Sequence, residues 1–283
     1  MRGIVTIILG ALALLAALAA LPAAWVAHNV ANEDGYVSFT EPLAKDPALH
    51  ATLADAIGKG VVAQSGIPAI FAPAATTAVT TATLASADTP GFVTAWDKTQ
   101  RQSHEIMFGD PRDLPAGLDS TNRLAVDLGP LSQFILRQVS KTLPVPLTAP
   151  DQLVVDVGGS SSSDALDQIK KSPSWARNGF IATAVLAVLC VAVARRRGMA
   201  LALLGLGGVA LAAGLHGISS AVIPKIQDSN TATTPLAKPM LDVLAGRAGD
   251  SFDQWLVTLA VIGGIAAVAG LGASFGFSAR SKA

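Results

Sequence analysis

The chain is short of cross-linking and aromatic residues. Its 283 positions hold one cysteine, Cys190, one tyrosine, and only 5% aromatics. A single cysteine excludes an intramolecular disulfide, so any exported part must fold without one. No cysteine closes the first apolar run, which argues against a lipoprotein anchor. No Asn-x-Ser/Thr acceptor occurs either. Charge is equally sparse, at 14% of residues, with 20 Lys and Arg against 20 Asp and Glu. A net charge of zero offers no basic footprint, so no nucleic-acid partner is expected.

Catalytic and ligand motifs are missing as well. His104-Glu105 begins like a zinc-protease helix, but that motif needs a second histidine one turn on, and position 108 is Phe. The reading left for this pair is a solvated polar helix face. Gly158 to Asp164 ("GGSSSSD") carries no Lys for a phosphate loop and no Gly-x-Ser-x-Gly elbow. It reads as a flexible turn with a helix cap near Ser163. Asp110, Asp113 and Asp119 lack the alternate-position spacing of a calcium loop and read as turn formers. No cofactor, no metal and no catalytic residue is expected.

What the chain does have is apolar length. Half of it is hydrophobic (51%), mean hydropathy is +0.49, and the excess is Ala, Leu, Val and Gly. Four runs stand out, at about 4–26, 179–194, 199–223 and 255–277. A bilayer core of ~30 Å needs about 20 apolar residues at 1.5 Å each. The second run is near the short limit and borrows length from Trp175 and Ala176. The first has Arg2 and small residues before position 21, as a signal peptide would. It is longer than the ~7–15 residues of a signal core, and a retained anchor is expected.

Arg195, Arg196 and Arg197 separate the second and third runs. Lys and Arg collect in cytoplasmic loops at membrane ends. That places both termini inside, with Arg2, Arg280 and Lys282, and leaves every acidic residue in 28–177 or 224–254. Trp25, Trp175 and Trp255 then mark the outer interface, where an indole ring suits the headgroup region. His216 is the one strongly ionisable residue within a run, and such residues are often functional. Ala213 with Gly217, Ala260 with Gly264, and Gly272 with Gly276 are four apart and suit close helix packing.

The expected organisation is a first anchor (1–27), an extracytoplasmic domain (28–177), a hairpin with a short basic turn (178–223), an outer loop (224–254), and a last helix with a basic tail (255–283). Within the domain, Pro47 fits a helix start after Asp46, and Leu49, Leu53, Ile57 and Val61 form one stripe. Residues 64–90, rich in Ala and Thr, fit a lid, a membrane-touching loop or a second short helix. Phe92, Trp96, Thr99, Ser103 and Ile106 share a face of a further helix. "RLAVDL" and "QLVVDV" read as strands around the helix "GPLSQFILRQVSKTL". The fold class is thus a mostly α membrane protein: four transmembrane helices with a helix-rich α+β domain between the first and second.

Asp34, Tyr36, Val37, Pro42, Leu43, Ala44, Asp46, Pro47 and Ala48 carry a resemblance. They are similar to the opening of a set of uncharacterised actinobacterial membrane proteins. Those have an acidic residue, then Tyr-Val, then Pro-Leu-Ala-x-Asp-Pro-Ala after the first membrane segment. This chain departs from them in having Glu33-Asp34-Gly35 before the tyrosine. The resemblance implies a bacterial cytoplasmic membrane location and brings no activity or functional residue. The expected role is non-enzymatic: a scaffold, sensor or interaction component of the cell envelope. Its expected partners are the lipid bilayer and an envelope protein or a second copy. A transport accessory subunit and an envelope enzyme on a lipid-linked substrate are the alternatives.

Overall fold

The computed structural model describes residues 2–121, 123–140, 148–157, 162–228 and 236–280. Its elements are α1 (Arg2–Val26), a π-helical turn (Ala27–Ala31), α2 (Glu33–Thr40), a 3-10 turn (Glu41–Lys45), α3 (Pro47–Gln64), α4 (Ala72–Ser86), α5 (Pro90–Phe108), β1 (Ala125–Asp127), α6 (Gly129–Val139), β2 (Val154–Asp156), α7 (Ser162–Val193), α8 (Arg197–Asp228) and α9 (Ala237–Arg280). Four helical stretches are long and apolar enough to cross a membrane: Arg2–Ala31, Ser163–Val193, Arg197–Lys225 and Ala237–Ser274. The chain is therefore a mostly helical, multi-pass membrane protein. It divides into two compact units.

The first unit comprises residues 1–27, 171–225 and 246–283. Small residues set its packing. A Cβ on Gly205 would lie 2.4 Å from the Gly263 carbonyl oxygen, and one on Gly270 2.5 Å from that of Gly198. Backbones meet there, so α8 and α9 run antiparallel in direct contact, a geometry open only to very small side chains. The contact positions are Gly198, Ala202 and Gly205 against Gly263, Ala267 and Gly270. These are not the pairs expected from four-residue spacing. A Cβ on Gly217, Gly264 or Gly272 meets nothing within 4 Å, and Gly276 lies beyond the residues whose surroundings are described. The seam alternates steps of three and four, which keeps it on one face of a 3.6-residue helix. On α1, Ala20 abuts Gly179 and Gly10 approaches Cys190, while Leu14 fills the space beside Gly207. The Cys190 thiol donates to the Thr6 carbonyl at 3.3 Å.

The second unit comprises residues 28–170 and 226–245. Leu49, Leu53, Ile57 and Val61 are buried along α3, as their period requires. Each contributes about 1.5–3 kcal/mol relative to exposure. Phe92 and Trp96 of α5 and Leu131, Ile135 and Val139 of α6 complete the core. Residues 72–86, within the stretch left open by the sequence, are helical. α4 packs closely on α3 because Gly58 leaves room for Thr80, whose hydroxyl donates to the Ala54 carbonyl at 3.3 Å. β1 and β2 pair antiparallel, with Val126 opposite Val155. Gly35 has no alternative: a Cβ there would lie 1.7 Å from the His28 carbonyl oxygen. Asn32 caps α2 by accepting from the Gly35 N–H at 2.9 Å.

Two sequence boundaries change. The second apolar run and the polar stretch before it form one helix of 32 residues, α7. The stretch 224–254, expected as a loop, is mostly helical: α8 runs to Asp228 and α9 starts at Ala237. Leu236, Ala237 and Met240 enter the core of the second unit. Their apolar spacing was too short to read against the polar residues around it.

Candidate functional site

The long helix α5 organises the second unit's polar groups. Thr89 caps it through the Phe92 N–H, and Pro90 fits its first turn. Its inner face buries hydroxyls with partners. Ser103 Oγ donates to the Thr99 carbonyl (2.6 Å) and accepts from the Asp127 N–H (2.9 Å). Thr99 Oγ1 accepts from the Leu131 N–H. The fully buried Asp127 carboxylate takes the Gly129 N–H (2.9 Å), the Leu153 N–H (2.6 Å) and the Gln102 amide (2.7 Å). One carboxylate therefore ties β1 to α6, β2 and α5, which is the work done by the "VDL" stretch. Sequence reasoning missed this role, because within the strand "RLAVDL" nothing marks the aspartate's partners, which come from distant positions.

Next to these lie polar atoms without partners. Gln100 is fully buried, and neither its amide oxygen nor its nitrogen is hydrogen-bonded. Asp97 Oδ1, one turn away, is also buried and unpaired. Burial pushes the Asp97 carboxyl above its usual range, with Glu41 adding to the rise while Arg101 and Lys45 oppose it. Exposed Arg101 pairs with Glu33 (2.6 Å) and Asp34 (3.0 Å).

His104 is a correction. It is buried, not on a solvated face. Its ring stacks on Phe108 at 4.5 Å and tilts against Tyr36 at 5.5 Å. Nε2 lies 3.1 Å from the Ala31 carbonyl, which can only accept, so the N–H sits on Nε2. Burial lowers its pKa below 6.5, countered in part by that hydrogen bond. Burial likewise pushes the Tyr36 hydroxyl upward. The HEIMF sequence could not reveal this, since α2 supplies the other side of the stack.

The aspartates flagged by the sequence shape loops. Asp110 Oδ1 accepts the Arg112 N–H at 3.0 Å and pairs with its guanidinium, which holds the carboxyl below its usual range. The Asp113 N–H reaches the Asp110 carbonyl. Asp119 and Gln152 exchange two hydrogen bonds. Gly158 to Ser161 lie outside the described residues, and Ser163 falls in the first turn of α7. Among the described residues no three His, Cys, Asp or Glu side chains stand close enough to hold a metal.

One surface of the second unit is unlike the rest. Residues 60–87 contain no Asp, Glu, Lys, Arg or His. At the tip between α3 and α4, Ile70 is 81% exposed and Phe71 49%. Ala74, Thr77, Thr81 and Leu84 continue this face along α4. The Thr77 hydroxyl donates back to the Pro73 carbonyl at 2.9 Å, which spends its donor within the helix.

In the first unit, the helix directions gather Arg2, Arg195, Arg196 and Arg197 at one end, where Gly3 and Thr6 approach the α7–α8 turn. Arg280 closes α9, and Lys282 lies outside the described residues. At the other end the Trp25 N–H donates to Ser251 Oγ (3.2 Å) and its ring meets Phe252 edge-on at 6.2 Å. Trp175 is exposed and Trp255 half-buried. His216 Nδ1 lies 2.9 Å from Asp253 Oδ1, both partly exposed, a partnership the sequence did not suggest. Neither a protein-family model, nor a curated protein, nor a solved structure matches this chain.

Proposed function

We propose that this chain is a non-catalytic, membrane-anchored interaction protein of the bacterial cell envelope, akin to the actinobacterial set it resembles. In this reading the basic end of the first unit faces the cytoplasm and the second unit stands outside. The partner is a protein that docks on the α3–α4 tip. The observation that carries this is the uncharged face with Ile70, Phe71 and Leu84 exposed. Cores of protein interfaces are depleted in charge and enriched in aromatics. A surface made for the bilayer would carry Lys or Arg around its apolar residues, and this one has none.

A photo-crosslinking residue at Phe71 tests it in living cells. The expected result is one adduct of fixed mass and high yield, absent when the same residue replaces Lys59, and lost on Ile70→Ser. Lipid adducts alone, or none, would overturn the reading. Sidedness is checked separately with a membrane-impermeant maleimide on intact cells. Lys59→Cys should label directly and Arg196→Cys only after permeabilisation.

A transport subunit is the second reading. Its support is the His216–Asp253 pair, placed within two of the apolar helices. Ion flux in liposomes, compared between the wild type and His216→Ala, decides it.

A further inference from the structure

The basic end of the first unit contains a cavity of about 590 Å³ between the start of α1 and the α7–α8 turn. Its lining includes Gly3 and Thr6 of α1, Arg195 and Arg196 of the turn, and Met199 and Leu203 of α8. We propose that this groove binds one anionic phospholipid, its phosphate between Arg195 and Arg196 and its acyl chains along Leu203.

The charge argument comes first. Among the described residues, neither the Arg195 nor the Arg196 guanidinium has an ion-pair partner. The only acidic residues in the unit's sequence are Asp250 and Asp253. Both lie on α9 near the opposite end, where Asp253 already faces His216. Two exposed guanidinium groups without an internal counter-ion are free to take an external anion. Guanidinium forks match phosphate oxygens two at a time. Basic pockets between membrane helices are suited to anionic lipid headgroups.

The shape then selects the class of anion. The groove is not polar throughout. Met199 and Leu203 lie one turn apart on α8, and Leu203 is 61% exposed. On α1, Ile7 follows Gly3 by one turn and is 71% exposed. The cations of the lining therefore adjoin apolar side chains on α8. Inorganic phosphate or a soluble nucleotide would leave that apolar part empty, whereas a diacyl lipid fills both parts. The volume is within the range of ordinary ligand clefts.

The test is native mass spectrometry of the full-length protein, purified in micelles holding equal amounts of phosphatidylglycerol and phosphatidylcholine. The wild type should retain one phosphatidylglycerol in preference to phosphatidylcholine. Arg195→Gln with Arg196→Gln should lower that retention about tenfold, whereas Arg197→Gln, whose side chain does not line the groove, should leave it unchanged. Gly3→Phe provides a variant that keeps every charge. A Cβ at Gly3 meets nothing within 4 Å and Gly3 lines the groove, so the larger side chain has room beside it. Retention should fall in this variant too. Equal retention of the two lipids, an unchanged Gly3→Phe, or displacement by millimolar inorganic phosphate would each overturn the proposal. None of these outcomes bears on the α3–α4 docking face.

Discussion

The two units solve opposite burial problems with the same residue types. In the second, the largest apolar side chains are inside: Trp96, Phe92, Leu49, Ile57 and Leu131 have essentially no exposure. In the first, the buried positions are largely small, such as Ala13, Ala20, Ala202 and Ala267, while Ile7, Val188, Ile265 and Val268 face outward. The surrounding solvent makes the difference. Water penalises exposed apolar surface, so the second unit hides it. Lipid tails do not, so the first unit gains from close backbone approach and displays its large residues outward.

The largest effect is expected where that approach is tightest. Gly205→Leu would drive a side chain into the Gly263 carbonyl and the Ala267 backbone, neither of which can yield. The expected outcome is loss of the monodisperse, cooperatively melting protein in detergent. Gly217→Leu, in open space on the same helix, should behave as wild type. If both variants melted alike, backbone contact would not be what holds the first unit together.

Large residues give the reverse pair. Trp96→Ala removes a fully buried ring and its 3.1 Å hydrogen bond to the Thr40 carbonyl, and should cost about 3–5 kcal/mol. Ile265→Ala removes an exposed side chain and should stay within about 0.5 kcal/mol. Thermal melting of each full-length variant checks both. An Ile265→Ala protein as damaged as Trp96→Ala would mean that a further surface covers α9.

How much of this contrast could be read in advance depends on the distance over which each pattern acts. The α3 stripe and the apolar face of α5 follow from spacing within one helix, and both are buried as expected. The four apolar runs were visible for the same reason. What failed depends on a neighbour. The α8–α9 seam is set by which glycines face each other, and counting steps of four selected Gly217, Gly264 and Gly272, which face open space. His104 reads as polar until α2 and the π-helical turn cover it. Asp127 reads only as part of a strand until three donors distant from one another in the chain converge on it. Leu236 and Met240 gain meaning only once the second unit draws the start of α9 into its core.

His104 also gives the second unit a pH dependence. Its folded pKa is depressed by burial, so the native state holds the ring neutral while the unfolded chain takes up a proton near 6.5. Stability is then full above that value and falls as pH drops toward the folded pKa. The melting temperature should decline between pH 7.5 and 5.5. His104→Phe, whatever its absolute stability, should flatten that decline. An unchanged slope would assign the dependence to other groups.

The smallest effect is expected at the ion pair between α8 and α9. His216 and Asp253 are 60% and 40% exposed at the side chain, and they lie toward the same end as Trp25 and Phe252. A pair hydrated at headgroup level should give, in a double-mutant cycle with His216→Ala and Asp253→Asn, a coupling of only about 0.2–1 kcal/mol. A buried pair would behave differently, because removing one partner strands a charge at a cost of about 3–5 kcal/mol. A coupling of that size would place the pair away from water. Such a pair, away from water between two apolar helices, would be the natural site for a proton-linked step. The size of this one number therefore separates a hydrated surface contact from a transport residue.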